Sequence, residues 1–76
     1  MRLHLGGHLN WYDPHKRAWH EIALTAPTNL RELIEQMGVP SAEVETVALN
    51  GTLVELDHLQ VQDGDCVELF PAIGGG

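Results

Sequence analysis

One apolar stripe limits what this chain can become: Leu30, Leu33, Ile34 and Met37 fall at i, i+3, i+4 and i+7, the spacing of a helix with a single buried face. Asn29 precedes the stripe and Glu32 follows three residues later, as in a capping box. Pro27 holds Ala26 extended and keeps the helix from starting earlier. Gly38 supplies a left-handed cap, and Pro40 blocks continuation. The spacing predicts a helix over residues 29–37. A helix of that length covers one face of one sheet, so the rest of the chain has to supply the strands.

The strands are legible by alternation. Met1, Leu3 and Leu5 alternate with Arg2 and His4 until Gly6-Gly7 stops the pattern. Residues 10–17 contain Asp13-Pro14 and read as a turn. From Ala18 to Leu24 alternation resumes, with Ile22 and Leu24 as core positions on the face shared with His20. Residues 46–49 form a strand ending at Asn50-Gly51, a strong hairpin signal, and residues 52–54 return. Residues 56–60 are ambiguous, with Asp57 a possible cap for one turn. Asp63-Gly64-Asp65 is another tight turn before residues 66–70, where Val67 and Leu69 point inward and Pro71 ends the strand. The order is β-β-α-β-β-β. With the helix crossover between them, the first and last strands can pair in parallel at the sheet centre. The expected class is α+β, a β-grasp (ubiquitin-like) fold with a mixed sheet of four to five strands packed on one helix. Its expected boundaries are residues 1–73 for the domain and 74–76 for a flexible glycine tail.

At 76 residues the chain is one domain, and a core of that size buries only about 60–65% of the unfolded surface. A single cysteine, Cys66, rules out an internal disulfide. Together with the absence of a secretory pattern at Met1-Arg2-Leu3-His4, this predicts a reducing, cytoplasmic setting. No apolar run is long enough for a membrane span. Four Lys/Arg against eleven Asp/Glu give a formal charge of −7, which argues against nucleic acid as a partner and for a basic protein surface.

Three segments carry a family likeness: Val47-Ala48-Leu49-Asn50-Gly51, Val61-Gln62-Asp63-Gly64-Asp65-Cys66-Val67, and Phe70-Pro71-Ala72-Ile73-Gly74-Gly75-Gly76. Together they resemble the ubiquitin-like sulfur carriers of MoaD/ThiS type. The Phe-Pro-x-hydrophobic-small-Gly-Gly ending is closer to the molybdopterin synthase small subunit than to the thiamin carrier. The resemblance implies a carrier that is not itself an enzyme. An E1-like adenylyltransferase would use ATP to activate the Gly76 carboxylate, and sulfur would replace AMP to give a thiocarboxylate for a sulfur-accepting synthase subunit. No cofactor is held permanently, and the sulfur travels on Gly76. The long first loop with Trp11 and Tyr12 matches no motif of the family.

The residues agree with that chemistry on their own terms. Glycine lacks a Cβ, so Gly75 and Gly76 can thread a narrow channel and bend at the reacting carbonyl, with Gly74 as a permitted small residue. Ordering such a tail costs roughly 1–2 kcal/mol per residue, which a partner's grip on the body has to offset. Phe70, Pro71 and Ile73 form an apolar base for that grip, with Gly74 beyond it. Phe70 alternates away from the core face; the alternative is that it packs under the first loop, on Trp11.

Other readings stay open. The tail suits a ubiquitin-like modifier conjugated through Gly76 to lysines, or a β-grasp binding module whose glycines are a frayed end. His4, His8, His15, His20 and His58 lack zinc-ligand spacing and read as surface polar positions, with His4 and His20 possible neighbours across the first hairpin. Cys66 has no flanking cation in sequence and reads as a quiet strand thiol. Arg31, Glu32 and Glu35 read as a solvated helix face. Lys16, the single lysine, lies in the first loop.

Overall fold

The computed structural model describes residues 1–72. Two hairpins and a closing strand build the main sheet. Strands β1 (Arg2–Leu5) and β2 (Trp19–Glu21) form the first hairpin. A short strand β3 (Thr28–Asn29) runs into helix α1 (Leu30–Gln36). Then come β4 (Val44–Leu49) and β5 (Thr52–Val54), a two-residue β6 (Gln60–Val61), and β7 (Cys66–Pro71). The sheet order is β2-β1-β7-β4-β5. β7 is parallel to β1 and antiparallel to β4, so the last strand sits at the centre as the crossover argument requires. This is the expected α+β arrangement, a mixed five-stranded sheet with one helix.

Helix α1 starts at Leu30 because Asn29 is its cap. Asn29 is extended, and its side-chain oxygen accepts the Glu32 amide at 3.0 Å. Met37 is the C-cap, so the helix is a residue shorter at each end than the stripe predicts. Leu30 and Ile34 are fully buried, against Leu3 and Leu5 of β1, Val47 of β4, and Val67 and Leu69 of β7 in a single core. Each such side chain contributes about 1.5–3 kcal/mol relative to exposure. Leu33, Met37, Ile22 and Leu24 are half-buried at its margin. The Asn50-Gly51 turn has φ of 50° and 87°, the double positive φ of the tight hairpin turn that alternation predicted there.

Three local expectations are corrected. The segment after β1 is not only a turn: Gly7–Tyr12 is a 3₁₀ helix with Leu9 completely buried. The ambiguous stretch after Val54 ends in β6, which pairs antiparallel with β3 as a separate two-stranded sheet. Pro71 ends the last strand from within it, opposite Val44, so β7 runs one residue further than residues 66–70. The proline is tolerated because its missing N–H would face β1, where pairing has ended at Leu5 opposite Leu69; on the other side the ladder shifts register between Val44 and Thr46.

Candidate functional site at the end of the last strand

β7 delivers the chain to the rim of the sheet, and what surrounds that exit follows from its two neighbours. On the β1 side the parallel register pairs Leu5 with Leu69, so Gly6 and Gly7 lie beside the last residues of β7. The Gly6 amide donates to the Leu69 carbonyl at 2.8 Å. The approach is close: a Cβ on Gly6 would stand 2.7 Å from that carbonyl oxygen and 2.8 Å from Phe70 Cδ1. Gly7, at φ +52°, packs against the Pro71 ring, where a Cβ would meet Cγ at 2.7 Å.

On the β4 side the register passes from Thr46 opposite Phe70 to Val44 opposite Pro71. Two steps on β4 match one on β7, so Glu45 is the extra residue of a β-bulge, a device that re-aims a side chain. Gly7, Glu45, Thr46, Phe70 and Pro71 line an open groove of about 600 Å³ with a mainly apolar surface. The neighbouring Glu43 accepts the Tyr12 hydroxyl at 3.0 Å, and His8 Nε2 lies 3.6 Å from the same carboxylate oxygen. The Glu43 hydrogen bond holds the Tyr12 phenol above its ordinary pKa. The bond also ties the Gly7–Tyr12 helix to a second 3₁₀ turn, Ser41–Glu43, immediately before β4.

The loop beyond is organised by Asp13, which is nearly buried. Its carboxylate accepts the Arg17 guanidinium at 3.1 and 3.2 Å, the Arg17 amide at 3.0 Å and the His15 amide at 3.1 Å. The Arg17 side chain first, then these amides, hold Asp13 well below the usual carboxylate range.

Phe70 faces away from the core, as alternation predicts. It is half-buried, with its ring centroid 6.2 Å from His4 and its edge against Gly6. His4 in turn lies tilted against Trp19 with ring centroids 4.6 Å apart, and the Arg2 guanidinium lies over the same indole at 4.6 Å. A row of planar groups therefore crosses the helix-free face from Arg2 to Phe70. Leu53 of β5, 72% exposed, stands on the same face.

Two of the histidines are not surface groups. His4 Nδ1 is buried without a hydrogen-bond partner among the described residues. The His20 side chain is only 8% exposed, with Nε2 3.0 Å from the Arg17 carbonyl. Nor are they paired: His4 is opposite Trp19, and His20 is opposite Leu3. Among the described residues no group of three or more His, Cys, Asp or Glu is placed to hold a metal ion. Cys66 is a free, half-buried thiol whose cross-strand partner is Arg2, a cation that neighbours in sequence do not reveal. That guanidinium is engaged with Trp19 and with Glu21, 3.4 Å away. On the helix face Arg31 pairs with Asp57, and Ser41 donates to Glu35.

Of the residues expected to form the site, Phe70 and Pro71 stand together at the exit. Ile73, Gly74, Gly75 and Gly76 lie outside the described residues. Gly6, Gly7, Glu43 and Glu45 complete the surroundings and were missed. The signal available for them was the Gly6-Gly7 pair itself, taken as a strand stop when parallel pairing of β1 and β7 sets it beside Leu69 and Phe70.

The five-stranded mixed sheet, the single helix and the central parallel pair of first and last strands define a β-grasp protein. The sequence profile of the ThiS family matches residues 15–76, and the chain belongs to that family. Its members are sulfur carriers rather than catalysts, working with E1-like activating enzymes and sulfur-accepting synthases. No curated protein and no solved structure gives a significant match. No helix among the described residues is long and apolar enough to cross a membrane.

Proposed function

We propose that this chain carries sulfur on the carboxylate of Gly76, as a protein substrate of an E1-like adenylyltransferase. The carboxylate attacks the α-phosphorus of ATP and releases pyrophosphate. A sulfur nucleophile then displaces AMP, leaving a thiocarboxylate that a synthase subunit consumes. A carboxylate is a poor electrophile until one oxygen becomes part of a leaving group, so the partner has to enclose the end of the chain during both steps. The observation that carries the reading is the family match running through Gly76, on a chain whose β7 ends in the apolar pair Phe70-Pro71. The domain of residues 1–73 is the gripped body and residues 74–76 are the reacting tail, with Gly75 the flexible approach. Phe70, Pro71, Ile73 and Gly74 form the surface that the partner holds.

The Phe70-Pro71-Ala72-Ile73-Gly74-Gly75-Gly76 ending favours molybdopterin as the destination of the sulfur. The test is intact mass after incubation with an adenylating enzyme of this type, ATP and a sulfur donor, followed by addition of a molybdopterin synthase large subunit. An oxygen-to-sulfur exchange at Gly76, discharged by that subunit and abolished by deleting Gly75 and Gly76, is expected. Covalent adducts to lysines of other proteins through Gly76, with no thiocarboxylate, would support a modifier instead. Absence of any reaction would leave a binding module.

A further inference from the structure

The first loop matches nothing in the family likeness, yet it is heavily fastened by side-chain hydrogen bonds. Leu9 anchors it in the core with no exposure. Asn10 Nδ2 donates to the Lys16 carbonyl at 2.9 Å, Lys16 Nζ donates to the Trp11 carbonyl at 3.0 Å, and Tyr12 is held by Glu43. Asp13 gathers both the backbone and the guanidinium of Arg17. Inside this frame the Trp11 side chain is 71% exposed. A lone exposed apolar residue is unremarkable on a protein surface. An indole presented on a backbone secured at both flanks is different, because the entropy of ordering it is spent before any partner arrives.

Trp11 is also close to the exit. It follows Gly7 by four residues in one 3₁₀ helix, about 8 Å at the rise of such a helix, and Gly7 packs on the Pro71 ring. Two carboxylates border the ground between them: Glu43 holds Tyr12, and Glu45 lines the groove with Gly7 and Pro71. Arg2 pairs with Glu21, Arg17 with Asp13 and Arg31 with Asp57, while Lys16 Nζ is spent on the Trp11 carbonyl. Among the described residues no Arg or Lys ion pair reaches Glu43 or Glu45, which flank Val44 where it faces Pro71.

We propose that Trp11 is a docking anchor for the adenylating enzyme, seated in an apolar pocket rimmed by basic side chains; this rests on the carrier reading above. The charge selects that enzyme over the sulfur acceptor. A site that holds the triphosphate of ATP concentrates Lys, Arg or backbone N–H donors around the channel that the tail must enter. A rim carrying Glu43 and Glu45 is drawn to such a mouth. Buried aromatic anchors of this kind dominate binding energy, while the acidic rim sets encounter rate and orientation.

The test uses the full chain labelled with 5-fluorotryptophan. It has two tryptophans, Trp11 and Trp19, assigned by Trp11→Phe and Trp19→Phe variants. Saturating, unlabelled adenylating enzyme is expected to shift or broaden the Trp11 ¹⁹F resonance. In steady-state thiocarboxylate formation, Trp11→Ala is expected to raise KM about 30-fold with kcat unchanged, and its thermal midpoint should match the wild type because the side chain is exposed. An unmoved Trp11 resonance, a KM change under about twofold, or a response confined to the sulfur-accepting synthase overturns the docking proposal. Those three results leave the carrier reading intact if the wild type still forms the thiocarboxylate. A wild type that forms none overturns the carrier reading, and the docking proposal with it.

Discussion

Replacing Gly6 with alanine is a sharp test of how closely the first loop and the last strand are fitted. The backbone of Gly6 is extended, φ −77° and ψ 164°, so alanine meets no conformational penalty there. Alanine gains about 0.4–1 kcal/mol by restricting the unfolded chain, and the loss that outweighs it comes from space. The new methyl would stand 2.7 Å from the Leu69 carbonyl oxygen and 2.8 Å from Phe70 Cδ1, each well inside van der Waals contact. The carbonyl also accepts the Gly6 amide, so it cannot retreat without loosening that bond. Overpacking of this kind costs about 1–3 kcal/mol, and a weakened backbone hydrogen bond adds about 1. We expect Gly6→Ala to lose about 2–3 kcal/mol, a large part of the roughly 3–5 kcal/mol that a core of this size supplies. The corresponding fall in Tm is about 8–24 °C. The assay is urea unfolding followed by tryptophan fluorescence, with an unchanged slope confirming that only stability has moved. Adding Phe70→Ala removes the ring contact but leaves the carbonyl contact, so the double variant should recover only part of the loss relative to Phe70→Ala alone. A Gly6→Ala protein within about 0.5 kcal/mol of wild type would refute the close approach of β1 and β7 at the exit.

Two further outcomes follow from local chemistry. Asp13 titrates below its ordinary range in the folded state, so its contribution is present above that range and is lost as pH falls through it toward the lowered folded value. Asp13→Asn should therefore lower Tm at neutral pH and flatten the decline of Tm on acidification, measured by calorimetry across the acid range. Asn29→Ala removes the cap on α1 and should cost about 1 kcal/mol, with Asn29→Asp restoring most of it in the same unfolding assay.

The parts that were legible in advance are those whose signals are local. The Leu30-Leu33-Ile34-Met37 stripe, the Asn29 cap and the Asn50-Gly51 turn each declare themselves within a few residues, and each forms as expected. The Gly7–Tyr12 helix does not, because it has one core residue, Leu9, and therefore no apolar period. β3 and β6 are two residues each, too short for alternation to show. Pro71 misled because its missing donor would face β1, whose pairing with β7 has already ended at Leu5 opposite Leu69, so the strand carries the proline at no cost to the ladder. At the candidate site, Phe70 and Pro71 were readable from their position beside the glycines. Glu43, Glu45, Gly6 and Gly7 were not, since they reach the exit only through pairing across the whole length of the chain.

The central place of β7 couples chemistry to the completeness of folding. Until Cys66–Pro71 inserts between β1 and β4, the sheet is two separated hairpins, and Val67 and Leu69 are missing from the middle of the core. Contacts so distant in sequence form late and together. A chain leaving the ribosome consequently acquires its core and the seat for Phe70 and Pro71 in a single event. Under the carrier function proposed above, half-made or partly unfolded copies would lack the platform offered to the activating enzyme, and the topology would serve as an inspection step before ATP is committed.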